Sequence, residues 1–331
     1  MNEKLLHVSG SPHIHSGESV KKIMWSVVIA LLPAFLVSIY YFGLPVIILT
    51  FVSIASCLVV EYLIQKYMLK GEVTIWNGSA VITGLLLAFN LPSNLPLWIV
   101  VIGAVVAIGI GKMAFGGLGK NLFNPALVAR VFLLISFPVQ MTSWPVPKPV
   151  FRLTNDVITG PTPLGILKER VGGGQSVDSI MSASDMPHYI DMLFGQMGGS
   201  FGEISAIALL IGGVFLLIRK VITWHIPIAF LITVFLFSGI FYWVDPSYYA
   251  NPLFHLLTGG VMLGALFMAT DMVTSPTSPL GMIIFGIGCG GITIIIRLFG
   301  AYPEGVSFAI LIMNALVPLI NKATKPISFG K

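Results

Sequence analysis

The sequence predicts an all-α integral membrane protein, with ten transmembrane helices in two inverted five-helix repeats and an external loop between them. Three observations lead there. The chain has 331 residues, 56% of them hydrophobic and only 9% charged, with a mean hydropathy of +0.94; soluble domains carry about 25% charged residues. Ten apolar segments have lengths near the ~20 residues that a helix needs to cross a bilayer. The lysines and arginines also fall almost entirely on one side of the topology those segments define.

The segments run at about 23–42, 44–65, 76–91, 97–114, 122–138, 203–218, 222–244, 253–270, 280–299 and 305–321. The polar start (1–21) followed by a span-length apolar segment reads as a retained first helix rather than a cleaved signal. With a cytoplasmic N-terminus, the cytoplasmic segments hold Lys4, Lys21, Lys22, Lys66, Lys70, Lys112, Lys120, Arg219, Lys220, Lys322, Lys325 and Lys331. The short external connections hold none beyond Arg297 at a span end. Lys148, Arg152, Lys168 and Arg170 lie in the long external loop, where charge has little influence on translocation. The expected divisions are a cytoplasmic N-terminal segment (1–21), a first repeat (22–138), the external loop (139–199), a second repeat (200–321) and a cytoplasmic tail (322–331).

The third and eighth segments are short and carry glycine in their first halves. Short, glycine-interrupted segments at matching places in two halves mark broken helices around a midplane site. Gly78 to Leu87 lines up with Thr258 to Phe267. After a three-residue shift, Pro96-Leu97 meets Pro279-Leu280, Gly103 meets Gly286, Gly117 meets Gly300 and Ala126 meets Ala309. Five spans is an odd number, so the second copy is inverted relative to the first. Two unrelated glycine-rich apolar segments would also show some of these matches.

Two stretches carry candidate chemistry. Gly116-Gly117-Leu118-Gly119-Lys120-Asn121-Leu122-Phe123-Asn124-Pro125-Ala126 leads a glycine-rich backbone into a helix begun by Pro125. If Asn121 and Asn124 are helical they share a face, and two carboxamides there can read the alternating donors and acceptors of an isoalloxazine edge. Satisfying the backbone of a broken helix is the plainer use. The other stretch, Asp156-Val157-Ile158-Thr159-Gly160-Pro161-Thr162-Pro163-Leu164, reads as a rigid exposed turn, neither strand nor helix. Such a turn presents threonine hydroxyls, whether for modification or only as surface.

Other residues have more ordinary readings. Ser200 with Glu203 reads as a capping box where the chain enters the sixth span. Arg130 inside the fifth span needs a partner, and Asp271 at the end of the eighth is one conceivable partner. Asp271 also suits a cation or flavin contact. Glu61, His225 and Pro227 near span ends read as structural. Cys57 and Cys289 both lie in apolar segments, so there is no disulfide framework or cysteine-ligated cluster. His13-x-His15 has no third ligand nearby. There is no Gly-x-Gly-x-x-Gly in a βαβ setting, so a nicotinamide nucleotide binds elsewhere.

Asp156-x-x-Thr159-Gly160-x-Thr162 resembles the Asp-x-x-Ser/Thr-Gly-Ala-Thr motif that flavin transferases read when esterifying threonine with FMN, with Pro161 where alanine is usual. Together with Ser11-Pro12-His13, Gly116 to Ala126, Gly198 to Glu203 and Thr270-Asp271, it gives the chain an end-to-end resemblance to the D subunits of Rnf complexes. The resemblance extends to the related B subunit of the sodium-translocating NADH:quinone reductase, which has a longer N-terminal extension. The resemblance implies a urea-transporter-like inverted repeat in the bacterial cytoplasmic (inner) membrane, with both termini cytoplasmic and the flavin loop external, on the periplasmic side. It implies FMN on Thr162, with Asp156, Thr159 and Gly160 as transferase recognition residues. It also implies a second, non-covalent flavin (riboflavin in the related enzyme), for which Asn121, Asn124 and Asp271 are the candidate contacts. The implied activity is electron transfer between ferredoxin and NAD+ coupled to Na+ or H+ translocation, by a subunit that is not catalytic alone. The implied partners are the A, B, C, E and G subunits, the transferase and the lipid bilayer, and no nucleic acid. The rival reading is a flavin-free channel or transporter for a small solute, which has no need of the Thr162 motif.

Overall fold

The computed structural model describes residues 19–71, 73–147 and 159–325. Asp156 and Ser11-Pro12-His13 lie outside them. Helix α1 (Val20–Phe42) starts on Ser19, whose hydroxyl accepts from Lys22 N at 3.2 Å. It turns through Gly43, at φ 67°, into α2 (Leu44–Leu63), which a wider π turn prolongs to Met68. Gly78, at φ +87°, opens the short α3 (Ser79–Phe89). Helix α4 (Leu97–Val105) also continues through a π turn, to Ile110. Pro125 is the first residue of α5 (Pro125–Ser136), where its missing N–H costs nothing.

After α5 the chain folds into small elements. These are α6 (Pro138–Met141), β1 (Trp144–Pro145), β2 (Thr159–Gly160), α7 (Pro163–Gly172), α8 (Val177–Met181) and α9 (Tyr189–Phe194). The strands pair antiparallel, Trp144 opposite Gly160 and Pro145 opposite Thr159. Next come α10 (Ala206–Ile218), α11 (His225–Val244), α12 (Pro252–Leu257) and α13 (Val261–Leu263, prolonged by a π turn to Met268). Helices α14 (Pro279–Phe299) and α15 (Val306–Ala323) complete the described chain.

Six helices among the described residues are long and apolar enough to cross a bilayer, and α3, α5 and α10 are shorter apolar helices. The eighth apolar segment is the broken one, interrupted between α12 and α13 at Thr258–Gly260, with Gly259 and Gly260 both at positive φ. Large apolar side chains face outward, including Phe51 at 72% exposure and Trp243 at 89%. Surfaces of that kind belong in hydrocarbon, and the chain is an all-α integral membrane protein.

Helix α2 lies on α3 and α4, α11 lies on α12 and α14, α1 meets α10 and α5 meets α15. Glycine sets the closest approaches. A Cβ on Gly84 would stand 2.7 Å from the Ile54 backbone, and one on Gly212 only 2.0 Å from Ala30 O. Helices approach this closely in membranes where small residues let their backbones meet. A second, smaller core joins Leu164, Ile166 and Leu167 of α7 to Val177, Ile180, Met192 and Phe254, so the segment that carries α7 to α9 is docked on α12.

Several local expectations need correcting. The stretch around Thr162 is strand and helix rather than an exposed turn: Thr159–Gly160 pairs as β2, and Pro163 starts α7. Pro163 has the φ of a first helical residue, and Thr162 supplies the cap, so the prolines mark a helix start. Ser205 caps α10, not Ser200; its hydroxyl accepts from Ala208 N at 3.3 Å. Asn121 and Asn124 share no helical face, because residues 116–124 are a turn-rich approach with Gly116, Gly117 and Gly119 at positive φ.

Candidate functional site

Two cavities collect the candidate residues, one near each end of the bundle. The larger encloses about 810 Å³ of empty space, part of it open at its mouth. Asn121, Asn124 and Asp271, far apart in sequence, all line it, with Lys112, Ser79 and Thr270. Their side chains are unequally free. Asn124 is committed: Oδ1 caps α5 by accepting from Ala126 N (3.1 Å) and Leu127 N (3.4 Å), and Nδ2 donates to Met268 O at 3.3 Å. It therefore ties α5 to the broken helix of the other half. Asn121 is 6% exposed and spends one amide proton on Phe123 O at 3.1 Å. Its Oδ1 accepts nothing among the described residues. Asp271 closes the turn after α13, accepting from Val273 N (3.3 Å) and from the Thr274 hydroxyl (3.2 Å).

Sequence reasoning counts Lys112 only as a cytoplasmic charge. It is 2% exposed, and its Nζ donates to Glu61 Oε2 at 2.6 Å and to Ser79 Oγ at 2.7 Å. Gln65 Nε2 donates to the other Glu61 oxygen at 3.3 Å. A span-end lysine beside a span carrying a lone glutamate is the available signal, since a buried charge in a membrane needs an opposite one.

The smaller cavity, about 270 Å³, is lined by Thr162, Gly198, Ser200, Glu203, Gly259 and Glu304, among others. Thr162 is the N-cap of α7, accepting from Gly165 N at 3.1 Å, and is 6% exposed. Thr159 is exposed and Gly160 partly buried. Beneath lies a charge cluster. Arg130 donates to Glu304, and to Ser307 Oγ at 2.6 Å, with Glu203 Oε1 at 4.0 Å. Asp271 is not its partner; α5 directs Arg130 to the start of α15 instead. Arg297 closes the break after α12 by donating to His255 O (2.6 Å), Thr258 O (2.7 Å) and Gly259 O (3.0 Å).

Lys168 of α7 donates to Gly300 O and to Tyr302 O at 3.1 Å, just past the C-terminal end of α14. A cation is favourable at that helix end, and burial draws the Lys168 pKa below its ordinary value. On the exposed face of this segment Arg170 forks onto Asp185, and that hydrogen bonding holds the Asp185 carboxyl below its usual range.

Residues 7–330 match the model of the NQR2, RnfD, RnfE family. The chain belongs to that family. Among its relatives, the D subunit of the Na+-translocating ferredoxin:NAD+ oxidoreductase complex of Acetobacterium woodii is 47% identical over 332 residues, covering 100% of this chain and 97% of the relative. The D subunit of the proton-translocating ferredoxin:NAD+ oxidoreductase complex of Clostridium ljungdahlii is 42% identical, over 100% and 98% of the two chains. The D subunit of an ion-translocating oxidoreductase complex of Escherichia coli is 38% identical, over 98% and 99%. Family membership therefore spans the whole fold, with both cavities inside the matched region.

Proposed function

We propose that the chain is the D subunit of an ion-translocating ferredoxin:NAD+ oxidoreductase complex. It is a membrane electron-transfer subunit carrying FMN as a phosphoester on Thr162 and a second flavin, riboflavin by resemblance, in the larger cavity. Its ten apolar segments cross the membrane as two inverted repeats. Both termini and the larger cavity lie toward the cytoplasm, and Thr162 lies toward the outside.

The observation that carries the flavin assignment is the placement of Thr162. Its hydroxyl caps α7 and lines a cavity, so a phosphoester there meets the helix N-terminus, where free N–H groups and the helix dipole favour an anion by about 0.3–1 kcal/mol. Glu203 and Glu304 line the cavity, and Arg130, which faces both, and Arg297, which donates to Gly259 O of the lining, offset their charge beside a phosphodiester. Gly198 and Gly199 leave that stretch of the cavity wall without side chains. In the larger cavity, the donors and acceptors of Asn121, Lys112 and Asp271 stand among apolar walls, as a flavin's polar edge requires when water is excluded.

Flavins supply one- and two-electron chemistry, which links single-electron iron–sulfur donors to hydride chemistry. This chain's residues hold, orient and dehydrate the rings. Electrons enter and leave through partner subunits, and the moving ion is Na+ or H+. The test is direct: the denatured wild-type chain, co-expressed with a competent transferase, fluoresces on a gel under ultraviolet light, and Thr162→Ala does not. Fluorescence that survives the substitution would move the attachment elsewhere. A dark wild-type band would favour the flavin-free channel.

A further inference from the structure

Lys112 is the feature of the larger cavity that the sequence motifs leave unused. Among the described residues lining that cavity, Lys112 and Asp271 are the charged ones. A lysine that is 2% exposed inside a membrane protein is costly to keep. Glu61 offsets its charge, at 2.6 Å, and Ser79 takes a second proton at 2.7 Å. An ammonium has three protons, and the third has no partner among the described residues.

The remaining polar groups sort by type. Asn124 is spent on its cap and on Met268 O. Asn121 offers Oδ1 as an acceptor, and Asp271 is an acceptor only. A flavin's pyrimidine edge presents one N–H between two carbonyls. Asn121 and Asp271 can take the N–H, but the carbonyls need donors, and Lys112 is the charged donor on the wall.

We infer that Lys112 is the positioning residue for a carbonyl of the second flavin's polar edge, and that Glu61 is the counter-charge that moderates its pull on the ring. The inference rests on the reading that this cavity holds that flavin. Removing a charge-assisted hydrogen bond costs roughly a tenfold to hundredfold loss of affinity. The Lys112 charge also favours electron density arriving at the carbonyl edge, whereas Glu61 opposes it.

The two residues therefore act in opposite directions on the flavin although they form one ion pair, and a structural role predicts no such asymmetry. The experiment uses the purified complex carrying Lys112→Met, Glu61→Gln, Lys112→Met/Glu61→Gln or Lys112→Arg. It measures acid-extractable flavin per chain and the midpoint potential of that flavin by spectroelectrochemical titration. Covalent fluorescence on the denatured chain checks assembly. Lys112→Met and the double variant lose extractable flavin at least about tenfold during washing, while Lys112→Arg retains most of it. Glu61→Gln strands the ammonium but leaves it as a donor, so it keeps more flavin than Lys112→Met and titrates at a more positive potential.

The double variant removes both charges, so a stranded Glu61 carboxylate cannot explain its loss of flavin. Flavin retained in the double variant, or lost equally in Glu61→Gln and Lys112→Met, overturns the inference and leaves a pair that only shapes the cavity. Wild-type complex without extractable flavin overturns the underlying reading itself, and the inference with it.

Discussion

Replacing Arg130 tests whether a buried charge cluster clamps the two halves together. Arg130 sits on α5, 5% exposed, and its guanidinium reaches Glu304 and Ser307 at the start of α15, with Glu203 at 4.0 Å. In Arg130→Met the methionine fills part of the volume but strands two carboxylates whose side chains are 5% and 12% exposed. Stranding one partner of a buried pair costs about 3–5 kcal/mol, whereas replacing both partners by neutral groups costs far less. Arg130→Met should therefore be more damaging than Arg130→Met/Glu304→Gln, in which only the more distant Glu203 is left unpaired, with a coupling of about 1–3 kcal/mol between the sites. The assay is tryptophan-monitored denaturation of the purified chain in detergent, read as a lifetime at fixed temperature because such proteins often unfold irreversibly. Single variants that each lose under about 1 kcal/mol and add independently would refute the reasoning and put the cluster in the class of solvated pairs.

Other outcomes follow from the same structure. Thr162→Ser keeps both the cap and the esterifiable hydroxyl, whereas Thr162→Ala also loses about 1 kcal/mol of capping; proteolysis of the unflavinylated chains separates the two effects. Asn124→Ala, by losing a cap and the Met268 bond, destabilises by about 1–2 kcal/mol, while Asn121→Leu leaves stability near wild type and releases extractable flavin. Gly212→Ala forces α1 and α10 apart, since its Cβ would lie 2.0 Å from Ala30 O, and costs about 1–3 kcal/mol in the same lifetime assay. Asp185→Asn changes stability by no more than about 1 kcal/mol, because the Arg170 pair is exposed. The folded Asp185 carboxyl has a depressed pKa, so its contribution is present above the unfolded value of about 3.9 and fades as pH falls through the lower folded one; Asn and wild type should differ at neutral pH and converge in acid. A cysteine placed at Ser184 is labelled by an impermeant reagent from outside, and one at Lys325 only after lysis; the reverse pattern breaks the topology.

The helices are legible in the sequence because apolar run length is a strong signal in membranes, and Gly78, Gly259 and Gly260 mark where the short ones break. Pro125 announces the start of α5 for the same steric reason that it occupies that position. The sites are legible only in part. Asn121, Asn124 and Asp271 stand out separately, and nothing in their spacing says that one cavity gathers them. The roles of Lys112 and Glu304 depend on partners 51 and 174 residues away, and a single sequence does not print such pairings. Thr162 reads as exposed because its prolines look like turn residues. The same prolines start a helix whose cap is Thr162, and packing of Leu164 and Ile166 draws that cap inward.

The central claim is that Thr162 bears FMN, and the intact mass of the purified chain tests it most directly. Co-expressed with a competent transferase, the wild-type chain should be heavier than its sequence by one FMN less one water, and Thr162→Ala should have its sequence mass. An unmodified wild-type chain, or an increment that persists in Thr162→Ala, would contradict the account.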